Sequence, residues 1–300
     1  MALLNRLVLW TLPLVPTPLM RRISSRYIAG ERLEDALQKL AELRGRGFPG
    51  ILDLLGEDVT DEARARGVAA EYREAASALQ ARGLDAYVSI KPTHLGLKLS
   101  EDLCAELYRE VAGHCRGLGL RVRVEMEDHT TTDATLRVYG RLRAEFPDLG
   151  VVLQSRLHRT PADIEALAGA PLDVRMVKGI YLEPARIAHV DPEPIREAYL
   201  LGCRMLLERG ARVSFATHDG PLAQRLIALV RELGVGTDRY EFQVLLGVRE
   251  ELWGLWRRAG HPVRVYVPYG PEWRAYSQRR LTKNPQIAGH VIRAALSPRR

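Results

Sequence analysis

Eight short apolar runs, rich in β-branched residues, alternate along this chain with longer stretches of helical period. They occupy residues 50–55, 86–90, 121–126, 151–154, 174–177, 213–216, 242–245 and 263–267. Their spacing of roughly 25 to 40 residues leaves room for one helix after each strand, the pattern of parallel βα units. Eight such units close into a barrel. The predicted fold class is therefore α/β, a (β/α)₈ barrel of the TIM type with an extra N-terminal helical segment.

The helical stretches carry start signals. Ser100 precedes two acids, as expected for an N-cap followed by an acidic first turn. Four residues that each precede a proline are interpreted as caps before a proline at the first helical position: Thr160, Asp191, Gly220 and Gly270. Helices are predicted at 31–44, 63–82, 101–118, 194–209 and 222–233, and a last helix is predicted to carry residues 276–280.

No linker or low-complexity segment interrupts residues 45 to 290. We therefore predict a single barrel catalytic domain over residues 45–300, preceded by an apolar leader and a helix over residues 1–44. The chain has no G-x-G-x-x-G sequence and no phosphate-binding loop, which disfavours a Rossmann domain.

The leader, residues 1–20, is apolar but is broken by Pro13, Pro16 and Pro18. It is too short and too interrupted to span a bilayer as a helix. A strap packed on the folded body is the expectation. Contact with a membrane surface, helped by Arg21 and Arg22, is the alternative.

Charge and aromatic content indicate whether the protein binds nucleic acid. The formal net charge is +7, but no basic run exceeds two residues before the C-terminus and aromatic residues make up only 6%. A nucleic-acid surface needs clustered cations, so no nucleic-acid partner is expected.

The three cysteines, Cys104, Cys115 and Cys203, have no metal-ligand spacing and fall in predicted helices. They are expected to be reduced core thiols of a cytoplasmic protein.

Polar side chains stand where the predicted strands end, and in such barrels that end carries the active site. They are Glu57; Lys91; Glu125, Glu127 and Asp128; Gln154 and Arg156; Arg175 and Lys178; Thr217 and His218; Gln243; and Tyr266. A charged group in a barrel mouth costs several kcal/mol unless it is paired. Their recurrence on nearly every strand therefore indicates a functional site.

Two arginines on the predicted last helix extend this site. Tyr276 shares a helix face with Arg279 and Arg280. Two guanidinium groups beside one flat ring suit a small carboxylate with an apolar body. Counted together, the mouth cations outnumber the mouth acids, which predicts anionic ligands. The helix start after Asp219 would add backbone donors for a phosphate. No nucleophile elbow is present, and no spacing resembles a metal-ligand set.

The individual motifs resemble those of the proline dehydrogenase family in its monofunctional bacterial form. They run in the family's order through most of residues 45 to 290: LLGE at 54–57, IKP at 90–92, EMED at 125–128, LQ at 153–154, RMVKGIY at 175–181, FATH at 215–218, FQVL at 242–245, RVY at 264–266 and YSQRR at 276–280. The combination is specific, although several members alone would be weak.

The resemblance implies a distorted (β/α)₈ barrel with FAD bound noncovalently at its C-terminal mouth. L-proline would be oxidised to Δ1-pyrroline-5-carboxylate, and a membrane quinone would take the electrons. The enzyme would then be cytoplasmic or peripheral on the inner face of the membrane. No aldehyde dehydrogenase region follows in the sequence, so a separate pyrroline-5-carboxylate dehydrogenase is the expected next enzyme.

The resemblance also implies roles for individual residues. Around the substrate it implies Lys91, Arg279 and Arg280 as a carboxylate clamp, Leu245, Tyr266 and Tyr276 as walls, Tyr181 nearby, and Glu57 as the acid that pairs with Arg279 to gate the pocket. Around the flavin it implies Met126, Gln154, Lys178, Gly179, Ile180, Thr217 and His218. Arg175, at the flavin N5 edge, and Glu125 are the implied catalytic residues.

Two departures and two rival hypotheses remain. The family often has Asp where Glu125 stands, and Lys283 replaces a frequent Glu, so no role is assigned to position 283. The first rival is a Schiff-base aldolase on the same barrel with Lys178 as nucleophile. The second is a non-catalytic anion-binding barrel, which has no need for Tyr266 and Tyr276 around the clamp.

Overall fold

Eight parallel strands form a closed barrel in chain order, with β8 paired back to β1. The structure is a computed structural model that describes residues 17–283, except for the side chains of Leu19, Arg22, Ile23 and 279–283. The strands are β1 Gly50–Leu54, β2 Ala86–Ile90, β3 Val122–Val124, β4 Gly150–Gln154, β5 Asp173–Val177, β6 Arg212–Ala216, β7 Tyr240–Leu245 and β8 Val263–Tyr269. The predicted (β/α)₈ fold is confirmed, and each observed strand lies within a few residues of its predicted run.

One helix or more follows each strand, and two further helices precede β1. In chain order they are α1 Thr17–Ser24, α2 Leu33–Gly45, α3 Glu62–Ala81, α4 Glu101–Gly117, α5 Thr132–Arg143, α6 Thr160–Ala166, α7 Pro192–Glu208, α8 Gly220–Glu232, α9 Glu250–Arg258 and α10 Trp273–Lys283. A short 3₁₀ helix, Pro92–Leu95, follows β2. Helix α2 packs on β1 and β8. The predicted leader lies outside the described residues up to position 16, and its division from the barrel domain stays a prediction.

The predicted caps are right at two helices and wrong at three. Ser100 accepts a hydrogen bond from Leu103 N (3.3 Å), and Asp191 stands directly before Pro192 at the start of α7. At α8 the cap is Asp219, whose side chain accepts from Leu222 N (3.2 Å), because a carboxylate can satisfy a free N–H and a glycine cannot. Thr160 is itself the first residue of α6. Gly270 directly follows β8, and α10 begins three residues later, at Trp273.

Alternation along the strands divides each one between two environments. Outward residues such as Leu52, Val88, Met176 and Phe242 are buried against the surrounding helices in the main core. Cys104, Cys115 and Cys203 are buried free thiols in α4 and α7, as predicted. Within residues 17–283, no helix combines the length and apolar character needed to cross a bilayer.

The inward residues at the N-terminal end of the barrel form an ion-pair network. Asp173 pairs with Arg123 (2.5 Å) and Arg121 (3.0 Å), and Glu241 pairs with Arg212 (3.0 Å) and Arg264 (3.1 Å). Buried charges are tolerated only when they are paired in this way. This network fills the lower half of the barrel and leaves the C-terminal half for a cavity.

His94, on the 3₁₀ helix, is packed tightly beneath the loop that follows β1. A side-chain carbon added at Gly56 would lie 2.1 Å from His94 Nε2, so only glycine fits there. Neither ring nitrogen of His94 has a hydrogen-bond partner among the described residues. Burial therefore lowers the pKa of His94 to about 3, with the Lys91 charge acting in the same direction.

His94 is expected to make the protein acid-sensitive. Its folded-state pKa lies below the unfolded value, so its contribution to stability is complete above pH 6.5 and is lost as the pH falls toward 3. At pH 5 that loss is about 2 kcal/mol. Urea unfolding of His94→Leu should show a smaller decrease in stability between pH 7 and pH 5 than the wild type. Equal decreases in the two proteins would contradict a neutral buried His94.

Candidate active site

A cavity of about 260 Å³ opens at the C-terminal end of the barrel. Its walls come from nearly every strand and from the loops that follow them. The lining residues are Glu57, Lys91, Glu125, Met126, Val152, Gln154, Arg175, Val177, Ile180, Tyr181, Ala216, His218, Gln243, Val244, Leu245, Tyr266 and Tyr276. Most of the side chains predicted for one site are thus brought together.

Eight of the predicted residues stand apart from this set, and three of them, Glu127, Asp128 and Arg156, follow strand ends without lining the cavity. Lys178, Gly179 and Thr217 are adjacent in sequence to lining residues but do not themselves line the cavity. The side chains of Arg279 and Arg280 lie outside the described residues, although helix α10 does carry both positions, as predicted.

The centre of the site is a buried ion pair between Glu125 and Arg175. Arg175 Nη2 donates to both carboxylate oxygens of Glu125. The same carboxylate accepts from Ser89 Oγ and from Tyr266 Oη (3.1 Å). Burial alone would raise the pKa of Glu125, but the Arg175 charge and the Ser89 hydrogen bond outweigh it and hold that pKa below its usual value. Glu125 is therefore an anionic anchor.

Arg175 has hydrogen-bonding capacity to spare. Its Nε and Nη1 are buried without a partner among the described residues. Its guanidinium carbon lies 5.0 Å from the centre of the Tyr266 ring, a cation–π arrangement. Because Arg175 also lines the cavity, its free donors can serve a bound group.

Asp53, a residue that the sequence analysis missed, lies beside Lys91 in the barrel interior. Its carboxylate is 1% exposed and accepts no hydrogen bond from any described residue. Lys91 Nζ lies 3.9 Å from Asp53 Oδ1 and 3.5 Å from the Gly56 carbonyl. Burial raises the pKa of Asp53 to about 6, against the opposing Lys91 charge. Burial would lower the pKa of Lys91, but Asp53 and Glu57 more than compensate, so the ammonium form is favoured.

Glu127 links the segment after β3 to the segment after β2 through hydrogen bonds. Its carboxylate accepts from Thr93 N (2.9 Å) and Thr93 Oγ1 (2.7 Å). Its backbone carbonyl accepts from Gln154 Nε2 (2.6 Å), which fixes the amide orientation of Gln154 at the cavity wall. Burial raises the pKa of Glu127 to about 7, although both hydrogen bonds from Thr93 oppose that rise. Glu127 therefore titrates near neutral pH.

Lys178 is engaged away from the cavity, in an ion pair with Asp219. Arg196 Nε donates to the same carboxylate (2.7 Å). These cations and the cap at Leu222 N hold the pKa of Asp219 at about 2, although burial acts in the opposite direction. The predicted phosphate site at the start of α8 is thus already filled by a carboxylate. That prediction overlooked that Asp219 could reach the helix end itself.

His218 joins the ends of two strands. Its Nε2 accepts from Leu245 N (2.8 Å), so the ring proton of the neutral form is on Nδ1. The hydrogen bond fixes Leu245, whose side chain walls the cavity together with Tyr266 and Tyr276. These three residues add apolar surface to the cavity wall, and Tyr266 also contacts the charged groups through its hydroxyl.

The predicted excess of positive charge is smaller than the sequence indicated. Among the described lining residues, Lys91 and Arg175 stand against Glu57 and Glu125, and Asp53 lies just behind. The run at 50–55 does contain this acid between leucines, which was the available signal. The sequence alone does not show that Asp53 points into the barrel, because that depends on the strand register, which the structure supplies.

Comparison with known proteins identifies the family. A profile described as proline dehydrogenase matches residues 36–293. The proline dehydrogenase of Deinococcus radiodurans is 36% identical over 282 residues, covering 92% of this chain and 91% of that protein. Proline dehydrogenase 1 of Bacillus subtilis is 32% identical, with 90% of each chain covered. This chain belongs to the proline dehydrogenase family.

A solved structure supports the fold. The proline utilization A protein of Bdellovibrio bacteriovorus, crystallised after inactivation by N-propargylglycine, superposes with a TM-score of 0.82 at 23% identity. The match covers 89% of this chain and 34% of that one, so this chain spans about a third of the larger protein. The family and the enzyme class predicted from the sequence, an oxidoreductase acting on proline, are confirmed.

The Glu125–Arg175 pair should dominate the stability of the mouth. Glu125→Ala leaves a buried guanidinium without its counter-ion and should lower the free energy of unfolding in urea by about 3 to 5 kcal/mol. The double variant Glu125→Leu/Arg175→Met removes both charges and should recover most of that loss.

An exposed pair provides the matched control. Arg204 and Glu232 lie 2.8 Å apart on the helical surface with side chains 37% and 59% exposed. Glu232→Ala should cost under about 1 kcal/mol. Similar losses for Glu125→Ala and Glu232→Ala would show that the barrel pair is not desolvated.

Proposed function

We propose that this protein oxidises L-proline to Δ1-pyrroline-5-carboxylate, the first step of proline catabolism, with FAD as the hydride acceptor and a quinone as the final electron acceptor. The observation that carries the proposal is the composition of the cavity wall. It combines Lys91 and the Glu125–Arg175 pair with the apolar surfaces of Leu245, Tyr266 and Tyr276. A saturated five-membered ring with one carboxylate suits such a wall.

The residues at the mouth fit a flavin. Gly179 has φ +95°, and a side-chain carbon there would lie 2.8 Å from Gln154 Oε1, so its backbone can approach a bound group only as glycine. Gln154 is held in one orientation, and Arg175, which lines the cavity, has two donors without a partner among the described residues. When bound, FAD would accept a hydride from the substrate carbon. Residues proposed to hold it are Met126, Gln154, Arg175, Lys178, Gly179, Ile180, Thr217 and His218.

The protein's own residues would orient the substrate. Lys91 would contact the proline carboxylate, with Arg279 and Arg280 of helix α10 completing the clamp, while Tyr181 lies nearby in the cavity wall. Glu57, also in the cavity wall, would pair with Arg279 and gate the entrance. Holding the ring in one position supplies proximity, worth up to roughly 7 kcal/mol or more in the best cases.

The charges would also select the reactive form of proline. Hydride leaves the carbon next to the ring nitrogen only if that amine is neutral, since its lone pair assists departure. Cations around the carboxylate lower the pKa of the bound amine. Glu125 and Asp53 oppose this effect weakly, because Arg175 and Lys91 already neutralise them. A cation such as Arg175 near the acceptor stabilises the negative charge that develops there.

The aldolase alternative receives no support from the site geometry. A Schiff-base lysine must reach the substrate cavity as a neutral amine. Lys178 instead donates to Asp219 and does not line the cavity. The non-catalytic alternative leaves unexplained why two tyrosine rings line a cavity that also holds charged residues.

The visible spectrum tests the proposal. The purified protein should be yellow, and the flavin absorption should bleach anaerobically on addition of L-proline. Product formed in the same cuvette should react as Δ1-pyrroline-5-carboxylate. A colourless protein that borohydride labels at Lys178 in the presence of a carbonyl substrate would instead support the aldolase.

The clamp predicts a separation of KM from flavin content. Arg279→Met and Arg280→Met should each raise the proline KM by about 10- to 100-fold, the effect of losing charge-assisted hydrogen bonds. Tyr276→Phe should have a smaller effect because only a hydroxyl is removed. Flavin content should stay at the wild-type level in all three. Arg204→Met, on the outer surface, is the control.

Two outcomes would refute the clamp. One is loss of flavin with an unchanged proline KM in the arginine variants. The other is an unaltered KM in all three variants, which would place the substrate away from helix α10.

Exposed apolar residues support access of a lipophilic acceptor, and we propose peripheral contact with the inner face of the membrane. Ile180 and Leu182, on the loop after β5, are 41% and 78% exposed, and they flank the cavity residue Tyr181. Single exposed leucines are common, but two beside a cavity entrance suit an apolar partner.

This loop should affect the acceptor step and not proline oxidation. Leu182→Ser should lower turnover with a long-chain quinone in vesicles by severalfold and leave turnover with a water-soluble dye unchanged. Leu255→Ser, at a residue that is 53% exposed on α9, is the matched control. Equal quinone turnover in both variants would remove this loop from the acceptor site.

A further inference from the structure

A second, smaller hydrophobic core lies behind the proposed proline site. It joins Met20, Tyr27 and Ile28 of the N-terminal segment to Leu55, Leu245 and Trp273, with Tyr266 and Tyr276 packed against it. Three of these residues, Leu245, Tyr266 and Tyr276, also line the cavity. The N-terminal segment thus contacts the back of the wall whose front faces the substrate.

Among the described side chains of helix α10, apolar packing against the rest of the protein is through this core. Its sequence, WRAYSQRRLTK, is mostly polar. Among its described residues only Trp273 and Ser277 are buried. Helices obtain most of their stability in proteins from packing of an apolar face, and α10 offers a narrow one.

Ser24 and Ser277 join α1 to α10 through buried hydroxyl groups. Their Oγ atoms lie 2.7 Å apart, and the residues are 2% and 0% exposed. Ser277 Oγ donates its only proton to the Trp273 carbonyl (2.7 Å). Ser24 is therefore the donor to Ser277. Ser277 directly follows Tyr276, so this bond fixes the turn of α10 that faces the cavity.

Backbone contacts anchor the same segment to the barrel. Ala29 N donates to the Pro268 carbonyl (2.9 Å), and Gly270 N donates to the Gly30 carbonyl (3.0 Å), so residues 29–30 pair with the connection between β8 and α10. A side-chain carbon added at Gly247 would lie 1.8 Å from the Arg26 carbonyl oxygen. The end of α1 therefore also presses on the loop after β7, next to Leu245.

We propose that helix α1 is a positioning element of the substrate site, with Met20 and Ser24 as positioning residues that hold α10 and Tyr276 against the barrel mouth. The inference rests on the proposed function, because α10 matters to affinity only if proline binds there. When α10 leaves the mouth, the binding-competent fraction falls and the apparent KM rises in proportion. The chemistry within the closed site is unchanged.

The test is the double variant Met20→Ala/Ser24→Ala. It should raise the proline KM at least tenfold, while turnover at saturating proline and flavin content stay within twofold of the wild type. Amide hydrogen exchange in residues 273–283 should be faster than in the wild type, and exchange in α7 should not change. Met20→Leu, which restores volume, should keep the wild-type KM.

Substitutions of the same residue types far from α10 provide the control. Met205 lies on α7 at the edge of the main core, and Ser77 lies on α3, where its Oγ is 2.8 Å from His114 Nε2. Met205→Ala/Ser77→Ala should lower stability and leave the proline KM unchanged.

The outcomes separate this inference from the proposed function. A wild-type protein without flavin or without proline-dependent bleaching would refute the function. A wild-type protein that oxidises proline, with a double variant of unchanged KM, would refute only the positioning role. Loss of flavin and of turnover together, at unchanged KM, would also refute it, since that pattern is general unfolding.

Discussion

A carboxylate and a guanidinium placed side by side inside a closed barrel determine how the mouth of this protein is built. Glu125 satisfies its charge with Arg175, Ser89 and Tyr266, which come from three different strands, β5, β2 and β8. No single strand could supply these partners, so the barrel must close before the pair is stable. The site is therefore a consequence of the fold's completion, and its geometry is as rigid as the strands.

Charge elsewhere in the barrel is arranged so that it does not compete with this pair. In the lower network each acid, Asp173 and Glu241, has arginine partners. Asp53 is different, because its only close counter-charge is Lys91 at 3.9 Å and described residues donate no hydrogen bond to it. A weakly compensated acid beside a cavity lysine keeps that lysine charged and available to a ligand.

The sequence predicts the scaffold better than it predicts the site. Strands follow from apolar runs because burial on both faces demands them, and β3 is shorter than its run because only 122–124 pair with β2 and only 123–124 pair with β4. Side-chain partners depend on distances across the barrel, which no local pattern contains. Lys178 was therefore counted as a cavity cation, although it pairs with Asp219, forty-one residues later. The cap predicted at Gly220 was wrong for a local reason, since the carboxylate of the preceding residue, Asp219, accepts from Leu222 N and glycine has no side chain that could.

The contact between the two ends of the described chain follows from how such a barrel must close its mouth. Each of the first seven strands is followed by a connection to the next strand of the barrel. Among the described residues, the segment after β8 leads into α10 instead. The described part of that helix is mostly polar, so it has little apolar surface of its own to pack. Residues from before β1 add contacts: Met20 packs in the smaller core, Ser24 hydrogen-bonds to α10, and residues 29–30 pair with the end of β8. The strands of the barrel and helix α10 thus pack in different cores, the main core for the strands and the smaller one for the helix. Under the proposed function, proline affinity through α10 would depend on contacts separate from those that hold the Glu125–Arg175 pair.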